Sequence, residues 1–306
     1  GNLLPKISMY TFTSLTPLGR IIYRKASLPR NCKKFSFSSI QRQEQIPLQE
    51  TRYEFGNILF GGPCNQKCPF CIGKQLPKWL TPTNLKTVPS NIKNFGKFVK
   101  LMNESGTKKI ILTGTRTDPQ LYKYEGDLLE ILRSEIPGCH ISLHTNGLLA
   151  QKKIDLLNKY DTCTVSVNTF DPAKFKSLHG VKTMPNIKFL MQYSQIPIKL
   201  SCVLTSENIP DLDQYIDRCI EMGVKRVSFR HLFGDGEQFA AENQTSTLFK
   251  DLDPTRYFRG NPVYHIDNLE ITHWTFEDFS KPSINLFSDG TISRKYLLTD
   301  FEKDYC

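Results

Sequence analysis

Three cysteines stand close together in the first third of the chain, in a spacing that suits a metal site. They are Cys64, Cys68 and Cys71, and they follow directly after the apolar run 57–60. Cysteine thiolates hold iron-sulfur clusters, and a cubane of four irons has four corners. Three cysteines therefore leave one iron without a protein ligand. That open corner is a place where a substrate or a cofactor can bind.

A zinc site is the alternative interpretation of the same cysteines. A structural zinc ion takes four protein ligands, usually supplied as two separated pairs. The sequence contains no second Cys-x2-Cys pair. The ligand count therefore favours an iron-sulfur cluster.

The three cysteines, together with the aromatic Phe70 just before the last of them, resemble the cluster motif of the radical S-adenosylmethionine (radical SAM) enzymes. The resemblance implies one 4Fe-4S cluster whose open iron chelates the amino and carboxylate groups of SAM. An electron from the cluster would then cleave SAM to methionine and a 5′-deoxyadenosyl radical, which abstracts hydrogen from a substrate. It also implies an electron donor such as a ferredoxin or a flavodoxin-type reductase.

The elements that must position these cysteines alternate between short β-rich runs and helical stretches. Such alternation favours βα units and a parallel sheet. Six strands are predicted, at 56–60, 109–113, 140–144, 162–167, 196–204 and 225–232. Helices are predicted at 92–102, 127–134, 153–159 and 211–222, and over 171–193 with a break around Gly180 and Pro185. The predicted fold is an α/β, partial (β/α)6 TIM-like barrel over 46–234, which the resemblance also implies.

In parallel barrels the chemistry gathers at the carboxyl ends of the strands. By resemblance, the residues that contact SAM follow the second and third strands: Gly114 and Thr115, then Thr145 and Asn146. The family more often has Gly-Gly-Glu-Pro after the second strand, and Arg116 stands where an acid is common. The His-Thr-Asn-Gly stretch is similar to the subfamily that includes the GTP cyclase of molybdenum-cofactor synthesis.

The later strand ends carry further candidates. By resemblance, Ser166 and Asn168 would hold the ribose, Val203 would pack the adenine, and Arg230 would reach the SAM carboxylate through its bidentate fork. Ser166 and Asn168 could equally cap the following helix, and Arg116 could face an anion or only solvent. His144 and His231 are expected at strand ends facing the cavity, as proton shuttles or as structural hydrogen-bond donors. Two of the remaining cysteines, Cys163 and Cys202, lie in apolar runs and are predicted to be buried.

The region after the barrel has a different pattern. The polar stretch 235–253 is predicted as a loop, 263–275 alternates as strands do, and 283–294 predicts a hairpin with Asp289-Gly290 at its turn. This small β-containing extension, 235–306, is expected to close the open side of the barrel. It lacks the cysteine trio and the glycine-arginine tail of the GTP cyclase, so that enzyme's substrate is not transferred to this chain.

The positive charge is concentrated at the start of the chain. Of a net charge of +10, eight Lys and Arg residues lie in 1–42, and the first acidic residue is Glu44. The rest of the chain therefore carries only +2, which gives no clear sign of nucleic-acid binding. A basic, acid-free, Ser/Thr-rich segment is typical of a mitochondrial transit peptide, here over 1–45, and a disordered basic arm is the alternative. No apolar run is long enough to predict a membrane span.

Taken together, the sequence favours a mitochondrial radical SAM enzyme that acts on an unidentified substrate. The altered stretch after the second strand leaves a second class open. In that class the protein keeps the fold, and with it the cluster, as a non-catalytic assembly or structural subunit.

Overall fold

The computed structural model describes residues 53–232, 249–250, 252–274 and 282–295. All of them belong to the unit Leu48–Cys306. The predicted leader 1–45 and nearly all of the predicted loop 235–253 lie outside the described residues. None of the described helices is long and apolar enough to cross a membrane.

Six parallel strands form the centre of the sheet and confirm the six predicted ones. They are β1 (Phe55–Phe60), β2 (Lys109–Gly114), β3 (His140–Thr145), β4 (Thr162–Ser166), β5 (Ile198–Val203) and β6 (Arg226–Arg230). Each pairs in parallel with the next in chain order. All their carboxyl ends therefore open toward the same end of the barrel.

Helices connect these strands on the outer side. They are α1 (Phe95–Glu104), α2 (Glu125–Glu135), α3 (Ile154–Leu157), α4 (Pro172–His179), α5 (Ile187–Tyr193) and α6 (Leu212–Glu221), with short 3-10 helices at Ile72–Gln75, Lys78–Leu80, Pro89–Asn91, Pro119–Leu121 and Ile209–Asp211. The predicted break in 171–193 is confirmed, because α4 begins after the capping carboxylate of Asp171 and ends at Gly180. Helix α3 is shorter than predicted. The N–H groups of Lys159 and Tyr160 bond three residues back, which tightens the chain into a turn.

The C-terminal strands extend both edges of the central sheet. They are β7 (Arg256–Phe258), β8 (Asn261–Ile266), β9 (Leu269–Trp274), β10 (Ser283–Leu286) and β11 (Ile292–Ser293). The sheet order is β11-β10-β1-β2-β3-β4-β5-β6-β9-β8-β7. The alternating pattern predicted over 263–275 thus falls in a hairpin of two strands, β8 and β9. The predicted hairpin at Asp289-Gly290 is confirmed as β10 and β11.

Side-chain contacts join the β7–β8 turn, at one edge of the sheet, to the start of β1. Arg259, in the turn between β7 and β8, forms an ion pair with Glu54 just before β1. Its guanidinium also lies 5.5 Å above the centre of the Phe55 ring. This arginine joins the C-terminal extension to the start of the first strand. Closure of the open side of the barrel by the extension stays a prediction.

Alternate residues of the strands face opposite environments. Those packed against the helices are apolar and buried, among them Ile110, Leu112, Ile141, Leu143, Cys163, Val165, Leu200 and Cys202. Complete burial of one aliphatic side chain stabilises the fold by about 1.5–3 kcal/mol. The intervening residues face the barrel interior and are mostly polar: Ser142, His144, Thr162, Thr164, Ser166, Lys199, Ser201, Ser228 and Arg230. The interior face of β3 to β6 therefore lines a polar chamber, whereas Leu59 of β1 belongs to a separate apolar cluster with Leu76, Leu80 and Phe287.

Candidate active site

The cysteine loop, residues 61–74, emerges from the carboxyl end of β1 and carries three free, half-buried thiols. Burial, together with the nearby Cys71 and Cys64, raises the pKa of Cys68 to about 12. Burial also raises the pKa of Cys64, with Asp118 and Cys71 adding to it. Bound metal is the usual way to hold such thiols as thiolates.

The loops after β2 and β3 lie directly against the cysteine loop. The backbone N–H of Gln66 donates to Sγ of Cys64 over 3.4 Å. Asn146, after β3, donates from Nδ2 to Oδ1 of Asn65 over 2.6 Å, and the same nitrogen lies 3.8 Å from Sγ of Cys64. Sγ of Cys71 lies 3.9 Å from the carbonyl oxygen of Thr115. Two of the predicted strand-end residues, Thr115 and Asn146, are therefore beside the thiols.

Close backbone packing joins the loop after β2 to the cysteine loop. Gly114 ends β2, and the N–H and hydroxyl of Thr115 both donate to the carbonyl of Phe60 over 2.9 Å. A Cβ at Gly73 would lie only 1.8 Å from the carbonyl oxygen of Thr115. Glycine is thus the residue that permits this approach.

A buried acid that sequence reasoning missed organises the ends of β2 and β3. The carboxylate of Asp118 accepts hydrogen bonds from the Thr145 hydroxyl (2.9 and 3.0 Å) and from the N–H groups of Asn146 (2.6 Å) and Gln120 (2.9 Å). Burial raises the pKa of Asp118 to about 6. The signal in the sequence was the Asp-Pro pair, two residues beyond Arg116, which provides the acid and proline that follow the glycines in the family.

The ends of β4 and β5 are tied together by two asparagines. The Val203 N–H donates to Oδ1 of Asn168 over 2.9 Å. Asn208 donates from Nδ2 to the carbonyl oxygens of Asn168 and Val203, each over 2.8 Å. The side chains of Asn168 and Thr145 are thus engaged with neighbouring loops. Ser166 ends β4 and is half-buried, and so is Phe70 in the cysteine loop.

Three basic residues lie on the interior face of the strands. Burial, together with the positive charge of Arg230, lowers the pKa of Lys199 to about 8. Burial also lowers the pKa of His144 well below its usual value, and here the charges of Arg230 and Lys199 contribute. Glu270 opposes the shift at Lys199, but its carboxylate bonds Arg256 over 2.9 Å and Arg226 over 3.1 Å. The chamber below the cysteine loop is therefore positively charged.

His231 was expected to face the cavity, but the structure places it in a histidine pair. Its Nε2 lies 2.7 Å from Nε2 of His273. The His273 ring also packs 5.3 Å from Phe249, a core residue. His231 therefore pairs with a histidine that packs against the core. The pKa of His144, by contrast, is lowered in part by the interior cations Arg230 and Lys199.

A βα barrel that gathers three thiols at the carboxyl end of its first strand has the layout of the enzymes that pair an iron-sulfur cluster with SAM. A sequence profile of the Radical SAM superfamily matches residues 58–238. The chain belongs to this superfamily and is an enzyme of it. Membership implies that the protein uses SAM and an iron-sulfur cluster.

Curated relatives carry the name Probable GTP 3′,8-cyclase. The chain is 30% identical over 236 residues to the protein of Methanococcus aeolicus, covering 68% of this chain and 72% of that one. It is 28% identical over 230 residues to the protein of Sulfurisphaera tokodaii, covering 68% of each.

Among solved structures, the chain is similar to Streptococcus suis SuiB bound to the precursor peptide SuiA. The TM-score is 0.58 at 16% identity, and the match covers 82% of this chain and 61% of SuiB. The similarity confirms the predicted α/β partial-barrel fold. The chain spans about six tenths of SuiB.

Proposed function

We propose that Cys64, Cys68 and Cys71 hold a 4Fe-4S cluster and that the enzyme cleaves SAM reductively to generate a 5′-deoxyadenosyl radical for hydrogen abstraction. The observation that carries this proposal is the cysteine loop itself, which brings three half-buried thiols to the carboxyl ends of parallel strands. When bound, the cluster supplies the electron that breaks a carbon–sulfur bond of SAM. Three ligands, rather than four, suit a cluster with one open iron.

Residues at the other strand ends are proposed to bind SAM. Asn146 reaches the cysteine loop and Arg230 ends β6 on the interior face, so both suit the amino-acid part of SAM. Ser166 and Val203 end β4 and β5 and are proposed to contact the nucleoside. Asp118 has an indirect role, because its carboxylate fixes the backbone that carries Asn146.

The substrate is proposed to be a small, polar, negatively charged molecule. Lys199 faces the chamber among serine and threonine hydroxyls, and a lysine cation binds phosphate or carboxylate groups. His144, whose pKa is lowered well below its usual value, adds a neutral hydrogen-bonding ring. The relatives named GTP 3′,8-cyclase are consistent with such a substrate, since a nucleotide is an anion.

An acidic protein is proposed as the electron donor. The stretch 61–103 contains seven lysines and no acidic residue, and it includes the whole cysteine loop. Three of these lysines, Lys67, Lys74 and Lys78, are exposed on or just after the loop. A positive surface of this kind favours association with acidic carriers such as ferredoxins or flavodoxins.

A mitochondrial location remains a proposal that rests on the composition of 1–45. If this segment is cleaved, the mature N-terminus of protein isolated from its native cell should fall within the first forty or so residues of this sequence, at about the end of the segment. An intact N-terminus on the isolated mitochondrial protein would contradict a cleaved leader.

Anaerobic turnover tests the enzymatic proposal. Protein reconstituted with iron and sulfide is incubated with SAM and dithionite, and methionine and 5′-deoxyadenosine are quantified. Equal amounts of both products are expected. A fully loaded protein that leaves SAM intact would instead support the alternative of a non-catalytic iron-sulfur subunit, which superfamily membership does not favour.

A further inference from the structure

The last residue of α4, His179, contacts the middle cysteine of the cysteine loop across a sequence separation of 111 residues. Its Nδ1 lies 3.7 Å from Sγ of Cys68 and 3.0 Å from Oε1 of Gln66. We propose that His179 is a positioning residue whose Nδ1–H donates a hydrogen bond to the Cys68 thiolate and thereby raises the reduction potential of the bound cluster. This inference rests on the proposed function, because it requires Cys68 to hold the cluster.

Three features at the end of α4 fix the position of the imidazole beside the cysteine loop. The N–H of Lys67 donates to the carbonyl oxygen of His179 over 2.8 Å. The ring stacks on Phe175 with centroids 4.1 Å apart and an interplanar angle of 18°. Gly180 ends the helix with φ +67°, and a Cβ there would lie 2.7 Å from Cβ of Lys67. The end of α4 therefore packs tightly against the loop next to Cys68.

The surroundings of the ring indicate which nitrogen carries the proton. Oε1 of Gln66 lies 3.0 Å from Nδ1, and an amide oxygen accepts hydrogen bonds, so the tautomer with Nδ1–H satisfies this contact. Nε2 is buried and has no hydrogen-bond partner among the described residues. A proton on Nε2 would leave a buried donor unpaired, which is costly. The neutral tautomer with Nδ1–H is therefore assigned from the hydrogen-bond network.

Cluster binding changes what this N–H group faces. As a thiol, Cys68 donates to Oε1 of Gln66 over 3.5 Å. A cysteine that ligates iron has released its proton to solvent and can only accept. Nδ1–H then lies between a neutral oxygen and a charged sulfur, and bonds to charged acceptors are the stronger ones.

The expected direction of the effect follows from charge. Reduction adds one electron to the cluster and moves no proton at His179. An N–H group beside a ligand sulfur stabilises the added negative charge, and hydrogen bonds to sulfur are among the factors that set cluster potentials. Loss of the N–H should therefore make the cluster harder to reduce.

Two variants separate the hydrogen bond from the shape of the ring. His179→Phe keeps a ring that can stack on Phe175 but removes the N–H, whereas His179→Asn places an amide N–H near the position of Nδ1. His140→Phe, at an exposed site at the start of β3, is the matched control. The potential is measured by an EPR-monitored redox titration of reconstituted protein without SAM. We expect His179→Phe to weaken reduction about tenfold, a shift of about 59 mV for one electron. His179→Asn should stay closer to the wild type, and His140→Phe should match it.

An unchanged potential in His179→Phe would overturn the proposal, as would an equal fall in His179→Phe and His179→Asn. A second measurement, made on the wild-type protein, tests the hydrogen bond even if the variants do not bind the cluster. Wild-type protein labelled with 15N-histidine should show a weak 15N coupling to the reduced cluster by pulsed EPR. Absence of that coupling would also overturn the assignment of His179. Wild-type protein that takes up no cluster would contradict the proposed function instead, so the two failures are distinguishable.

Discussion

The barrel carries two groups of cysteines, and the difference between them shows how position decides what a thiol does. Cys163 and Cys202 lie on the helix-facing side of β4 and β5, Cys219 lies in α6, and all three are at most 1% exposed. Burial raises the pKa of each, so they remain inert thiols packed among apolar side chains. The cysteines of the loop are half-buried at a strand end, and there the loops after two further strands reach the thiols. Proximity to strand ends, rather than residue type, creates the site.

The largest expected effect separates the two groups directly. Cys68→Ala removes one of three ligands and should abolish cluster binding and SAM cleavage, because the remaining two thiols cannot hold a cubane with an open corner. Iron and acid-labile sulfide are measured after anaerobic reconstitution. A Cys68→Ala protein with wild-type iron and activity would show that the ligand assignment is wrong.

The second prediction extends the comparison to the two ends of β6. Arg230→Met removes the cation proposed to bind the SAM carboxylate. Hydrogen bonds to charged groups contribute about 1.5–3 kcal/mol, so the Kd of SAM should rise roughly 10- to 100-fold. Equilibrium dialysis of cluster-loaded protein measures this change. Arg226→Met, at the exposed start of the same strand, should leave the Kd unchanged, and an equal loss in both variants would contradict the assignment.

The third prediction concerns the acid that fixes the strand ends. Burial raises the pKa of Asp118 to about 6 from an ordinary value of 3.8. Between these two values the folded protein keeps a proton that the unfolded chain has lost. The free energy of unfolding should therefore fall by about 1.4 kcal/mol per pH unit as pH rises from about 4 to 6, and level off above pH 6.

Urea unfolding of cluster-free protein at several pH values measures this slope, with Asp118→Asn as the comparison. The variant cannot titrate at this position, so its stability should depend less on pH over that window. It should also be less stable at pH 7 by about 1–3 kcal/mol, since the amide cannot accept all the N–H and O–H donors. Identical pH slopes in the two proteins would show that Asp118 does not titrate as described.

The smallest effect is expected on the helix-facing side. Cys163→Ala deletes one buried heavy atom and should lower the free energy of unfolding by about 0.5–1.5 kcal/mol, similar to an Ile→Val change. Its iron content and SAM cleavage should equal those of the wild type. Loss of the cluster in this variant would remove the distinction between the two groups of cysteines.

Local patterns predicted most of the fold. The six central strands, the break in 171–193, the hairpin at Asp289-Gly290 and the burial of Cys163 and Cys202 all follow from periodicity and turn residues within a few positions. The cysteine spacing likewise identified the loop. These features depend on residues that are close together in the sequence, so they can be predicted from the sequence alone.

The features that sequence reasoning missed depend on distant residues. No local pattern shows that His179 lies beside Cys68, that Arg259 pairs with Glu54, or that the C-terminal strands divide between the two sheet edges. His231 was expected in the cavity, but its pairing with His273 depends on β9 joining β6. Such contacts arise only when the sheet order is known.

The response of the reduced cluster to SAM tests the central claim most directly. Anaerobically reconstituted protein should contain about four irons and four sulfides per chain, and the EPR spectrum of the reduced cluster should change when SAM is added. Such a change is expected because SAM would occupy the iron that the three cysteines leave open. Protein that takes up no iron, or a reduced cluster whose spectrum is the same with and without SAM, would contradict the account.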